Sequence, residues 1–212
     1  MKHLKDFKLF EAVIMPPKIE SNSMVNSFES AIEYGIQNDF DVVEYDEFYN
    51  SLGEGDKRTA PPRRGGPPFF ALFHPIRKKP MFVVCDRNVF MFMPMKEIIN
   101  DIIGHEKIHA EQTLRRGGIE FALPSPTDRK AYFSNKEEIM AFAWTIANDL
   151  SKVSRSIEEG MTKLDKGFPG QGSQLWVDIK RYCDEKIIKR YRKYIYMYLD
   201  KIFNKDEDNK GI

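Results

Sequence analysis

Pro94-Met95-Lys96-Glu97-Ile98-Ile99-Asn100-Asp101-Ile102-Ile103-Gly104-His105-Glu106-Lys107-Ile108-His109 is the stretch from which both fold and chemistry are read. Apolar residues recur at Met95, Ile98, Ile99, Ile102, Ile103, Ile108 and Leu114, a helical period. Pro94 suits a first helical turn, where its missing donor costs nothing. Gly117-Gly118 suits the stop, where a left-handed residue closes the last turn. The spacing therefore predicts one long helix from Met95 to Arg116. His105 and His109 are four residues apart, which puts both imidazoles on one face, a single turn apart. Ile98, Ile102, His105 and His109 follow in steps of three or four, so the histidines are expected to continue the buried stripe.

His105-Glu106-Lys107-Ile108-His109 reads H-E-x-x-H, and the chain has only 4 histidines. Two imidazoles one turn apart can share a metal ion, and the carboxylate between them can take a proton from water beside that ion. A third ligand is required, and His, Asp and Glu are the usual choices. No histidine follows His109. The candidates are Glu137 and Glu138, at the start of a second amphipathic helix expected to run to about Glu159, ahead of Gly160. Ser134 and Glu137 have capping-box spacing, which assigns Glu137 to the helix N-terminus and leaves Glu138 as the preferred ligand. Sequence alone keeps the choice between the two open. Asp101, Asn148 and Asp149 are candidates for orienting the histidines.

The run G-H-E-x-x-H, then Tyr132, then Glu138-Ile139-x-Ala141-x-Ala143, resembles the gluzincin group of zincin metallopeptidases, and more closely small phage-encoded or bacterial zincin-like proteins than thermolysin. The resemblance spans roughly residues 81–159 and is specific only at the motif. It implies one zinc ion held by His105, His109 and Glu138, with Glu106 as general base for peptide-bond hydrolysis. Tyr132 is a candidate donor to the developing oxyanion. The aspartate that follows the glutamate ligand in thermolysin-type sites is absent. The resemblance implies a protein or peptide substrate, and for a phage-encoded chain a virion or host partner. Another reading is a zincin-like scaffold without turnover, acting as a structural or virion component.

Around this centre the expectation is a single α+β domain over residues 1–212, mainly helical, with a small antiparallel hairpin before the motif helix. Phe69–Phe73 also looks strand-like. Met81–Cys85 and Val89–Met93 flank the turn signal Asp86-Arg87-Asn88 and are read as the two hairpin strands. Residues 22–38 form an expected helix with Met24, Phe28, Ile32 and Ile36 in one stripe, capped by Ser21 or Ser23. Phe40–Tyr49 is ambiguous around Val42-Val43. Residues 53–68, rich in glycine, proline and arginine, read as a flexible loop. His74, before Pro75, reads as structural. After a loop at 167–173, one long helix is expected from about Gln174 to Phe203, then a disordered tail at 204–212.

Composition narrows the classes. With 42% hydrophobic and 13% aromatic residues, the chain of 212 can build a core. No stretch approaches a membrane span, and residues 1–6 have no signal-peptide core. The 2 cysteines, Cys85 and Cys183, follow no metal spacing and read as thiols in a reducing compartment, hence a cytoplasmic protein. The C-terminal helix carries Lys180, Arg181, Lys186, Lys189, Arg190, Arg192 and Lys193. A net charge of +1 argues against nucleic acid as the partner and for a solvated face.

Overall fold

The computed structural model describes residues 15–16, 24–53, 57, 60–61, 65–74, 78–117 and 127–208, with backbone alone at 205–208. The fold is α+β, mostly helical, with a small three-stranded mixed sheet. The chain divides into two compact units, the boundary falling between Glu137 and Glu138.

In the unit ending at Glu137, α1 (Phe28–Gln37) leads into β1 (Asp41–Glu44) and α2 (Tyr45–Ser51). β2 (Phe69–His74) and β3 (Lys79–Val84) follow, then a short α3 (Val89–Phe92) and the long α4 (Met95–Arg115). The sheet order is β1-β3-β2, with β1 parallel and β2 antiparallel to β3. Side chains alternate along a strand, so central β3 feeds two cores. Phe82 and Val84 join Val42, Phe28, Ala31, Tyr34, Met95, Ile99 and Ile103 on one side. Met81 and Val83 join Val43, Tyr45 and Phe48 on the other. The first half of α4 is thus seated on the sheet through Met95, Ile99 and Ile103, all fully buried. The second half carries the motif.

Several sequence expectations change here. An antiparallel hairpin does precede the motif helix, but its strands are Phe69–His74 and Lys79–Val84. Val89–Phe92 is a helical turn. Asp86 Oδ1 accepts from Asn88 N at 2.9 Å, and Asp86 O accepts from Val89 N at 3.3 Å. The Asp-Arg-Asn signal therefore starts a turn of helix rather than reversing a strand. β3 already has a neighbour on each side, and Met91 and Phe92 face solvent.

Helix α1 is capped by Ser27 with Ser30 in reciprocal bonds; Ser21 and Ser23 lie outside the described residues. Its inner face is Phe28, Ala31, Tyr34 and Gly35, while Met24 and Ile36 are 75% and 77% exposed. Phe28 and Ile32 of the expected stripe do pack against the core, while Ala31, Tyr34 and Gly35 fill the places expected of Met24 and Ile36. Of the loop at 53–68, part lies outside the described residues; Pro61 accepts a bond from the Tyr45 hydroxyl at 2.6 Å. His74 is buried at the end of β2, and both cysteines are half-buried and not joined in a disulfide.

The short α5 (Arg129–Ser134) closes this unit, and α6 (Lys136–Val153) begins two residues later. The other unit holds the rest of α6 with α7 (Ile157–Lys166), α8 (Gln171–Tyr182) and α9 (Glu185–Asp208). The second helix stops at Val153 rather than continuing to Glu159, because Ser156 starts a new one. The Ser156 hydroxyl accepts from Glu159 N at 3.2 Å, while Glu159 Oε2 accepts from Arg155 N at 2.8 Å. The expected C-terminal helix is broken at Cys183–Asp184 for the same kind of reason: Asp184 Oδ1 accepts from Ile187 N at 3.0 Å and caps α9. Asn204 to Asp208 belong to α9 rather than to a disordered tail. Residues 209–212 lie outside the described residues. Among the described residues no helix is long and apolar enough to cross a membrane.

Candidate metal centre

Helix α4 carries both motif histidines in its second half, and its stop is as expected: Gly117 follows at φ +72°, a left-handed closing residue. The fully buried stripe of α4 is Ile99, Ile103, Gly104 and Ile108. Ile98, Ile102, His105 and His109 are half-buried beside it. The histidines therefore flank the core rather than continue it, on a helix that the buried stripe anchors.

The two rings meet edge to face, with centroids 4.9 Å apart and planes at 73°. Their Nε2 atoms are 3.2 Å apart. Two nitrogens on one tetrahedral zinc at about 2.0–2.1 Å would sit about 3.3–3.4 Å apart, so the pair already has that spacing. The Glu138 carboxylate completes the group, and the three ligand atoms all lie within 4.8 Å of one another. Glu138 is 1% exposed. A carboxylate buried that deeply is costly to keep charged without compensating positive charge, which a shared cation supplies. His105, His109 and Glu138 thus form a group that can hold a metal ion.

Two residues that sequence reasoning missed set this geometry. Gln112, 5% exposed, places Oε1 3.0 Å from His109 Nδ1. Its amide nitrogen donates to the Glu137 carbonyl at 3.1 Å, which fixes which end of the amide faces the histidine. The oxygen facing Nδ1 can only accept, so Nδ1 carries a proton, and in the neutral imidazole Nε2 then keeps a bare lone pair, the tautomer a metal ligand needs. Arg116 donates through Nη1 to Glu137 Oε1 at 2.6 Å. The signal for Gln112 was present: a polar residue three positions after His109 stands on the same helix face.

Glu138 rather than Glu137 lies with the two histidines, and Glu137 is occupied in a different way from the one expected. Ser134 ends α5, and Asn135 takes the capping position instead, its Oδ1 accepting from Glu137 N at 2.8 Å. The Glu137 carboxylate is held by Arg116 rather than by the helix N-terminus. Asp149 is engaged elsewhere, accepting from Gly172 N at 2.8 Å and pairing with Lys152 at 3.3 Å. It is no orienter of the histidines. Glu106 is half-buried beside His105, and Tyr132 is half-buried on α5 with its ring 5.8 Å from that of Phe133.

Lys107, inside the motif, has a mechanical role. Its Nζ donates to the Asn38 carbonyl at 2.8 Å, tying α4 to the end of α1. Burial pushes its pKa down, with the Asp39 charge opposing.

Comparison of the chain with protein-family models, curated protein sequences and solved structures gives no match. The fold and site define an α+β protein with a candidate two-histidine, one-glutamate metal centre.

Proposed function

We propose that the chain is a zinc-dependent peptidase of the H-E-x-x-H kind. One observation carries the reading: the 3.2 Å separation of two ring nitrogens that share a buried glutamate within 4.8 Å. His105, His109 and Glu138 would hold the ion, and the pairing of two imidazoles with a carboxylate is a donor set that suits zinc. Zinc bound there supplies Lewis acidity toward a carbonyl and acidifies water.

The remaining work falls to the chain's own side chains. Glu106 accepts a proton from the attacking water and returns it to the leaving amine. Gln112 keeps His109 in the tautomer with Nε2 bare. Tyr132 is the candidate donor to the carbonyl oxygen as negative charge develops there. β2, at the edge of the sheet, offers backbone groups to which an extended peptide could add as a strand.

The test is metal analysis of purified chain followed by Glu106→Gln assayed on a denatured protein substrate. Retained zinc with cleavage lost by about 100-fold or more, the usual worth of a general base, supports the proposal. Absence of bound metal, or cleavage unchanged in the variant, refutes it.

A further inference from the structure

His105, His109, Gln112 and Arg116 follow one another at steps of four, three and four along α4, so all four share one face. Two consecutive glutamates on α6 meet this face. Glu138 joins the upper pair, His105 and His109. Glu137 joins the lower pair: its carbonyl takes the Gln112 amide at 3.1 Å and its carboxylate takes Arg116 at 2.6 Å. Its own N–H is held by Asn135 at 2.8 Å. Backbone N–H, backbone carbonyl and side chain of Glu137 are thus all engaged. The ion pair is sheltered, with the Glu137 side chain 13% exposed and that of Arg116 30%. Arg116 is itself anchored as the capping residue of α4, its N–H on the Thr113 carbonyl at 3.2 Å.

Consecutive helical residues are turned by about 100°. Fixing Glu137 in position and azimuth therefore fixes where Glu138 points. We infer that the Arg116–Glu137 pair is a register device for the metal centre: it selects Glu138 as the third ligand and holds it against the histidines. Glu137 and Arg116 are positioning residues. The inference rests on the metal reading, and it states why two adjacent glutamates are not interchangeable. A slip of one residue would bring Glu137 to the histidines and leave Arg116 without its carboxylate.

The experiment is zinc titration of the full chain against a chromophoric chelator, with melting of the zinc-free protein followed in parallel. Glu137→Ala and Arg116→Met are each expected to weaken zinc binding about 10- to 100-fold, the usual cost of losing support behind a ligand. The double variant should be no weaker than either single. The charge swap Arg116→Glu with Glu137→Arg should recover affinity over both singles, which a general loss of packing would not do. Arg116→Lys supplies a milder variant should Arg116→Met fail to fold, and it should fall between wild type and the alanine variant. Zinc affinity unchanged in both singles, or a charge swap that binds no better than they do, overturns the inference while the metal centre stands. A wild-type chain that takes up no zinc removes the metal reading itself.

Discussion

Replacing Gln112 by leucine separates a metal-binding histidine pair from two histidines that happen to touch. Gln112 is buried and makes two bonds, to His109 Nδ1 at 3.0 Å and to the Glu137 carbonyl at 3.1 Å. Leucine has similar volume and neither polar group, so the change strands one donor and one acceptor. Each stranded group costs about 1–3 kcal/mol if it stays buried, so the zinc-free protein should lose about 2–4 kcal/mol once partial access to water is allowed. The metal adds a second effect. Freed from Gln112, the His109 ring can rotate and exchange tautomers, and zinc affinity should fall about 10- to 100-fold. With free zinc at 100 times the wild-type dissociation constant, wild type gains about 2.7 kcal/mol, whereas the variant gains about 0.4–1.4 kcal/mol. For a chain of this size those gains correspond to zinc-induced melting shifts of about 5–11 °C and about 1–6 °C. Gln112→Glu is the contrast: its carboxylate still accepts from Nδ1 but cannot donate to the Glu137 carbonyl. It should lose stability yet bind zinc more tightly than the leucine variant. Thermal melts with and without zinc read both effects. A zinc shift in Gln112→Leu equal to that of wild type would refute the tautomer argument.

Three further outcomes follow from the same geometry. Tyr34 is fully buried and donates to Asn100 Oδ1 at 2.7 Å; burial raises its pKa above the ordinary tyrosine value. The folded state therefore holds the proton where the unfolded chain releases it, and stability present below about pH 10 is lost as pH rises toward the folded value. Tyr34→Phe should be less stable at pH 8 but lose less than wild type between pH 10 and 11 in denaturant titrations; parallel losses would contradict this. Gly35→Ala pits helix preference, worth about 1 kcal/mol, against a methyl 2.7 Å from the Phe40 carbonyl oxygen, and overpacking of about 1–3 kcal/mol should win, giving a net loss in urea unfolding. Asp149→Ala removes the acceptor for Gly172 N at the start of α8 and should cost about 1 kcal/mol without changing zinc affinity, which separates it from the metal centre.

Local signals with a single physical meaning were legible in the sequence. The His-x-x-x-His spacing, the helix from Met95 and its glycine stop all follow from helical geometry and capping. Competition among several adequate signals was not. Ser134 and Asn135 can each cap a helix, and chain direction at the end of α5 decided for Asn135. Val89–Phe92 has strand-forming side chains, but β3 had its two neighbours from β1 and β2, a long-range fact. The breaks before Ile157 and Glu185 were written in Ser156 and Asp184, and an unbroken apolar stripe obscured them. Gln112 was missed because a neutral amide draws no attention beside a histidine, although its bond to His109 fixes the ring.

Zinc-edge X-ray absorption on the purified, zinc-loaded full chain reads the ligands of the ion themselves. One ion per chain is expected, with two imidazole nitrogens at about 2.0–2.1 Å and a carboxylate oxygen at about 2.0–2.2 Å, and with one imidazole lost in His109→Ala. A chain that retains no zinc, or a spectrum without imidazole scattering that His109→Ala leaves unchanged, would contradict it.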